Sequence, residues 1–146
     1  MIRPLLLAIL AASLGTSVVL AQLTVPAKPA APLENTSWKL VAVGNMPAIA
    51  LSAPREASFT LHTDDHRLSG SGGCNRLLGK YELAADALKI APAGTTMMAC
   101  PEDLMHQESD FVSALKMTTT YKVSGDSLEL RNGDRVLARF LAQSPR

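Results

Sequence analysis

Two cysteines, three histidines and one glycine-rich run are the residues of this chain whose types could carry out chemistry. The run is Ser71 to Gly79, SGGCNRLLG, and it contains Cys74; the second cysteine is Cys100. A cysteine nucleophile needs a base within hydrogen-bond reach. Of His62, His66 and His106, only His106 is near a thiol in sequence, six residues after Cys100, and no hydrolase signature surrounds either cysteine. A phosphate loop would continue from its last glycine into a lysine and a Ser or Thr that open a helix. Here Gly70, Gly72 and Gly73 are followed by Cys74, Asn75 and Arg76, which lead into an expected strand. The glycines are better read as a bend or close backbone approach in a sheet. His62 and His66 lie four apart on a strand and turn rather than a helix, where that spacing does not put both rings on one face by default. They read as surface histidines, with Asp64 and Asp65 making the turn. No catalytic residue, metal site or cofactor is therefore assigned.

The compartment decides what the two thiols do. Residues 1–21, MIRPLLLAILAASLGTSVVLA, carry one charge at Arg3, an apolar run from Leu5, and small residues Val19 and Ala21 at the positions a signal peptidase reads. This is a secretory signal with cleavage expected after Ala21. A membrane anchor is the competing reading, but the run falls short of the ~20 residues a spanning helix needs and is interrupted by Ser13, Gly15, Thr16 and Ser17. No membrane span is expected after cleavage, and the protein is expected in the periplasm or secreted. In an exported chain with two cysteines, pairing is the simplest account, and two free buried thiols are the alternative. A Cys74–Cys100 bridge would tie the glycine-rich stretch to whatever begins after Cys100.

Charge narrows the partners. Arg3 is the only charged side chain of the signal, so the 14 Lys and Arg of the full chain fall to 13, against 13 Asp and Glu. A nucleic-acid binder concentrates a basic excess on one face. Here the basic residues Arg131, Arg135, Arg139 and Arg146 have Asp134 among them, and strand geometry would scatter their side chains. No nucleic-acid partner is expected.

The elements that must position these residues follow from periodicity. Residues 22–32, QLTVPAKPAAP, hold three prolines and no hydrophobic period, and read as a semi-rigid linker. The folded domain is expected over residues 33–142, with 143–146 as a tail, a length that suits one core. SWKLVAV alternates Trp38, Leu40 and Ala42 against Lys39, Val41 and Val43, and ASFTLHT places Phe59 and Leu61 on one side. Turns at Asp64-Asp65 and Ala85-Asp86 make hairpins of the next runs, and Gly125-Asp126 and Asn132-Gly133-Asp134 punctuate the last ones. One segment differs. After Cys100, Pro101, Glu102 and Asp103 suit a helix start, and Leu104, Phe111 and Leu115 recur at helical spacing. The expected fold is α+β: an antiparallel meander or cracked β-barrel of about eight short strands, packed against one helix that covers the open side of the curved sheet.

Glu108 falls on the apolar stripe of that helix. A carboxylate there must be paired or hydrogen-bonded, and Arg76 and Asn75 on the bent strand are the candidates, with a shielded Arg76–Glu108 pair as the working expectation. The bland alternative places Glu108 at the edge of the stripe, reaching water. A second alternative makes Arg76 a binding-surface residue.

The sequences NTSWKLVAV, LSGSGGCNRLLGKYEL, TTMMACPEDLMHQESDFVSAL and YKVSGDSLELRNGDRVLARF, in this order, resemble the META-domain family, which includes the HslJ-like heat-shock proteins of bacteria. The resemblance spans Leu33 to Ala142 and is most specific at Gly73 to Arg76 and at Thr96 to Cys100. It implies a strand-rich, envelope-associated domain with links to heat shock and novobiocin resistance, and it implies no enzymatic activity. Some relatives carry a lipoprotein cysteine after the signal, whereas Ala21 and Gln22 stand at that junction here. Two functional classes follow: a non-enzymatic envelope protein that binds another protein in stress tolerance, and a carrier of a small apolar ligand in a cracked barrel. Protein recovered from the periplasm should begin at Gln22 by N-terminal sequencing; an inner-membrane protein still starting at Met1 would overturn the export reading.

Overall fold

The structure, a computed structural model, describes residues 29–52 and 54–143. The signal reading of residues 1–21, the linker as far as residue 28 and the tail from residue 144 lie outside the described residues. Nine strands and one helix follow in the order β1 (Ser37–Val43), β2 (Met46–Pro47), β3 (Ser58–His62), β4 (Arg67–Ser71), β5 (Arg76–Ala84), β6 (Ala87–Thr95), α1 (Glu102–Met117), β7 (Thr120–Ser124), β8 (Ser127–Asn132) and β9 (Arg135–Gln143).

All pairings are antiparallel, and each strand from β3 onward pairs with the next. β1 pairs with both β3 and β9, so eight strands close a ring and β2 is a two-residue addition at the end of β1. The ring is uneven. β5 and β6 pair over almost their full length, whereas β6 and β7 meet only at Ala87 and Thr120. That gap is where the chain leaves the sheet to form α1, which packs on β6 and reaches β1, β8 and β9. The expected use of the helix, closing the open side of a curved sheet, is what the structure shows.

The helix buries Leu104, Glu108, Phe111, Ala114 and Leu115, a single stripe at three- and four-residue spacing. Pro101 is its N-cap rather than its first residue, and Pro101 O accepts from Leu104 N and Met105 N, both at 3.1 Å. Phe111 meets Phe59 of β3 and Phe140 of β9, with ring centroids 6.5 and 5.7 Å away, and Phe59 and Phe140 stand edge to face at 5.0 Å. Trp38 is fully buried and donates from Nε1 to Leu33 O at 2.8 Å, which folds the segment before β1 against the core. The inside of the ring is thus filled with aromatic and leucine side chains.

One detail of β1 departs from simple alternation. A bulge between Leu40 and Ala42 resets the register against β9, so Val43, expected outside, packs against the core, while Val41 stays exposed.

Because Phe111 is the contact through which the helix grips two distant strands, Phe111→Ala should destabilise the domain by about 3–5 kcal/mol. Chemical denaturation of the purified domain checks this, and a loss under about 1 kcal/mol would show that the helix is not essential to closing the core.

Candidate functional site

The glycine-rich stretch is a hairpin loop, not a bend within one strand as the sequence suggested. β4 ends at Ser71 and β5 begins at Arg76, these two residues pair directly, and Gly72 to Asn75 reverse the chain between them. Gly72 N donates to Asn75 O at 2.8 Å, closing the loop. Both glycines are required by their surroundings. A Cβ on Gly72 would stand 2.2 Å from Glu108 Oε2, and Gly73 has φ +104°, with Leu104 Cδ1 2.9 Å from where its Cβ would be.

Cys74 and Cys100 are joined by a disulfide with Cα atoms 6.0 Å apart. It links the β4–β5 loop to the residue just before the N-cap of α1. No free cysteine is found among the described residues.

Beside the disulfide, Asn75 organises the junction. Its backbone N donates to Glu108 Oε2 at 2.6 Å and its Nδ2 to Glu108 Oε1 at 2.7 Å. Its Oδ1 accepts from Met98 N at 2.7 Å and from Thr96 Oγ1 at 3.0 Å. One side chain therefore fastens three segments: the β4–β5 loop, the β6–α1 connection and the helix. Glu108 is buried, as the stripe position implied, and each of its oxygens accepts a hydrogen bond, which offsets the cost of burying a carboxylate.

The expected Arg76–Glu108 pair does not form. Arg76 is exposed on the outer face of β5, and only its backbone takes part, donating from N to Thr96 Oγ1 at 3.0 Å. The reason is alternation: Asn75 turns inward at the end of the loop, and the first residue of β5 then faces out. Sequence reasoning named both partners but favoured the one with the charge. Thr96 entered only as part of the family-like Thr96 to Cys100 motif, with no hydrogen bond assigned to it, and Gln107 was given no role. Gln107 Oε1 accepts from Ile49 N at 2.5 Å, holding the segment after β2 against the helix.

Above this junction the β6–α1 connection carries exposed apolar side chains. Met97 is 98% and Met98 56% exposed, although Met98 N is pinned by Asn75 and Cys100 by its disulfide. Met105 on the helix and Met46 in β2 are exposed too. Next to Met46 lies a groove of about 340 Å³. One wall is Val43, Met46, Pro47 and Ile49; the other is the helix face bearing Asp103, His106, Gln107 and Asp110. A wider, shallower cleft of about 600 Å³ runs over β5 and β6 past Lys80 and Lys89.

The histidines lie apart. His62 Nε2 is 2.7 Å from Ser69 Oγ, the His66 ring lies tilted by 60° against Tyr81 with centroids 5.4 Å apart, and His106 is 3.5 Å from Glu102. Among the described residues no group of three or more His, Cys, Asp or Glu side chains is arranged to hold a metal ion. Tyr81 donates its hydroxyl to Glu34, and burial, reinforced by that hydrogen bond and the Glu34 charge, raises the phenol above its ordinary range. It stays a protonated donor that anchors the segment before β1.

A strand ring plugged by one helix, with a disulfide and an Asn–Glu clamp where the helix begins, defines a small α+β domain class. Residues 31–144 match the META domain, and the chain belongs to that family. Three solved structures share the fold. A protein from Burkholderia xenovorans, determined by NMR, is 26% identical with a TM-score of 0.60, covering 88% of this chain and 99% of that one. The 1.00 Å crystal structure of a DUF4847 family protein from Bacteroides vulgatus ATCC 8482 is 15% identical with a TM-score of 0.59, covering 78% and 96%. A further NMR structure is 23% identical with a TM-score of 0.57, covering 75% and 91%. No curated protein matches the chain. Among the described residues no helix is long and apolar enough to cross a membrane.

Asn75→Ala removes the Nδ2 donor and both Oδ1 contacts, and should cost about 3 kcal/mol by leaving Glu108 under-satisfied. Arg76→Ala should stay within about 0.5 kcal/mol, as an exposed substitution does. Replacing both cysteines by serine should cost about 3.5 kcal/mol in the chain-entropy account. Thermal and denaturant melts rank the three, and an Arg76→Ala loss as large as that of Asn75→Ala would contradict the clamp.

Proposed function

We propose that this META-domain protein is exported, has no enzymatic activity of its own and acts in the cell envelope by binding another protein, in the service of tolerance to heat or antibiotic stress. The observation that carries the reading is the placement of methionine. Of Met46, Met97, Met98, Met105 and Met117 none is buried, while the core is filled by Leu, Phe, Trp, Ala and Ile. Methionine ordinarily fills cores, and at a surface its flexible, polarisable side chain adapts to apolar partners. Here Met97 and Met98 project from a connection fixed at both ends, so little ordering is needed when a partner binds.

Export is supported by the disulfide, which persists in oxidising compartments. The carrier reading needs a hollow interior. Trp38, Phe59, Phe111 and Phe140 occupy the inside of the ring at 0–1% exposure, which favours protein binding over an enclosed apolar ligand.

Capture from envelope extract with the mature domain tests this. Met97→Glu combined with Met98→Glu should abolish capture of the partner while leaving the melting temperature unchanged. Unaltered capture would remove these side chains from the interface, and native mass spectrometry showing a retained apolar small molecule would favour the carrier instead.

A further inference from the structure

The groove beside Met46 joins an apolar wall to a wall that bears two carboxylates. We infer that it receives a short segment of a protein partner in which two apolar residues are flanked by Lys or Arg at each end. The inference rests on the protein-binding reading above and supplies the chemistry of the partner.

The apolar wall is built from Val43, Met46, Pro47 and Ile49, of which Met46 is 71% exposed. The opposite wall is one face of α1, where Asp103, His106, Gln107 and Asp110 succeed one another at helical spacing. Its position relative to the apolar wall is set by the hydrogen bond from Ile49 N to Gln107 Oε1. One hydrogen bond therefore ties the two walls together.

The charges on the wall are negative and uncommitted. Asp110 makes no hydrogen bond or ion pair among the described residues, and Asp103 accepts only from the adjacent Leu104 N. His106 is turned to Glu102, at 3.5 Å. Among the described residues, the guanidinium that reaches the β1–β2 turn is that of Arg139, 3.4 Å from Gly44 O, and it is already paired with Glu129 at 3.5 Å. No lysine or arginine among the described residues lines the groove. Charge complementarity therefore selects a cationic partner.

Spacing refines that choice. Asp103 and Asp110 are seven residues apart on a helix, which places them about 10 Å apart along its axis. In a polyproline II segment, with three residues per turn and a rise of about 3.1 Å, residues i and i+3 share one face about 9 Å apart. A Lys-Leu-Leu-Lys arrangement sets one cation opposite each carboxylate, with the leucines between them against Met46 and Ile49. Pro47 offers no N–H, so the outer edge of β2 is a poor template for strand addition, and side chains must do the recognition.

The test is an NMR titration of the mature domain with the probe acetyl-Gly-Lys-Leu-Leu-Lys-Gly-amide. Saturable shifts are expected at the amides of Met46, Ile49 and Gln107. Asp103→Asn and Asp110→Asn should each weaken binding about threefold, the scale of one exposed ion pair, and about tenfold together. Asp110→Glu should retain it. The same peptide with glutamate for lysine should not bind, and Lys-Lys-Leu-Leu should bind more weakly than Lys-Leu-Leu-Lys. Equal binding of the glutamate peptide, shifts centred elsewhere, or no titration at all overturns the inference. Extract capture with the double aspartate variant separates it from the broader reading. A partner captured as well as by wild type leaves protein binding standing and removes the groove; specific peptide binding at the groove with no partner captured does the reverse.

Discussion

Glu108 is a carboxylate placed where the helix needs an apolar residue, and much of the local architecture can be understood as the means of keeping it there. A charge so buried must find donors. Asn75 supplies two of them, one from its backbone and one from its amide, and this fixes the end of the β4–β5 loop against the middle of α1. The loop can approach so closely only because Gly72 has no side chain to collide with the carboxylate. With Asn75 in place, its free carbonyl oxygen collects Thr96 and Met98, and the chain between β6 and α1 acquires a fixed path. The disulfide adds a covalent tie between the same two segments. A hydrophobic residue at position 108 would pack the helix, but it would leave the loop and the connection without a common reference point.

The same logic divides structure from surface. Below the clamp the side chains are leucine and aromatic, and the ring is filled. Above it, in a connection pinned at Met98 N and Cys100, Met97 and Met98 are exposed. The tool that fastens the helix therefore also presents the apolar surface, and substitutions that loosen the clamp would blur the shape of the face it presents.

Much of this was legible in the sequence. Alternation located the strands, the turn residues separated them, and the spacing of Leu104, Phe111 and Leu115 gave the helix. Glu108 was visible as an anomaly because it broke an otherwise apolar stripe. Its partner was harder. Arg76 carries the opposite charge and Asn75 does not, yet a single residue of alternation decides which of them faces inward, and that depends on where the loop ends and β5 begins. Loop boundaries are set by tertiary pairing, here Ser71 with Arg76, which no local pattern announces. The bulge in β1 escaped for the same reason: one inserted residue exchanges Ala42 for Val43 at the core, and its cause lies in the register against β9. The groove was not legible at all, since its walls come from segments separated by some sixty residues and meet through one bond to a backbone amide.

The pairing of β1 with β9 joins the first strand of the ring to the last. A chain that emerges N-terminus first can form its inner hairpins as they appear, but its opening strand has no lasting neighbour on that side until the final residues arrive. Trp38 and Phe59 wait with it, since their cover includes β9. Closure of the ring is thus the last event and a global one, with long loops to bring together. Until then the ends of β1 and β9 are unpaired edges, open to pairing with other chains. A nascent molecule of this protein is in that condition for the whole time that β9 is withheld, and a factor that shields strand edges would relieve it.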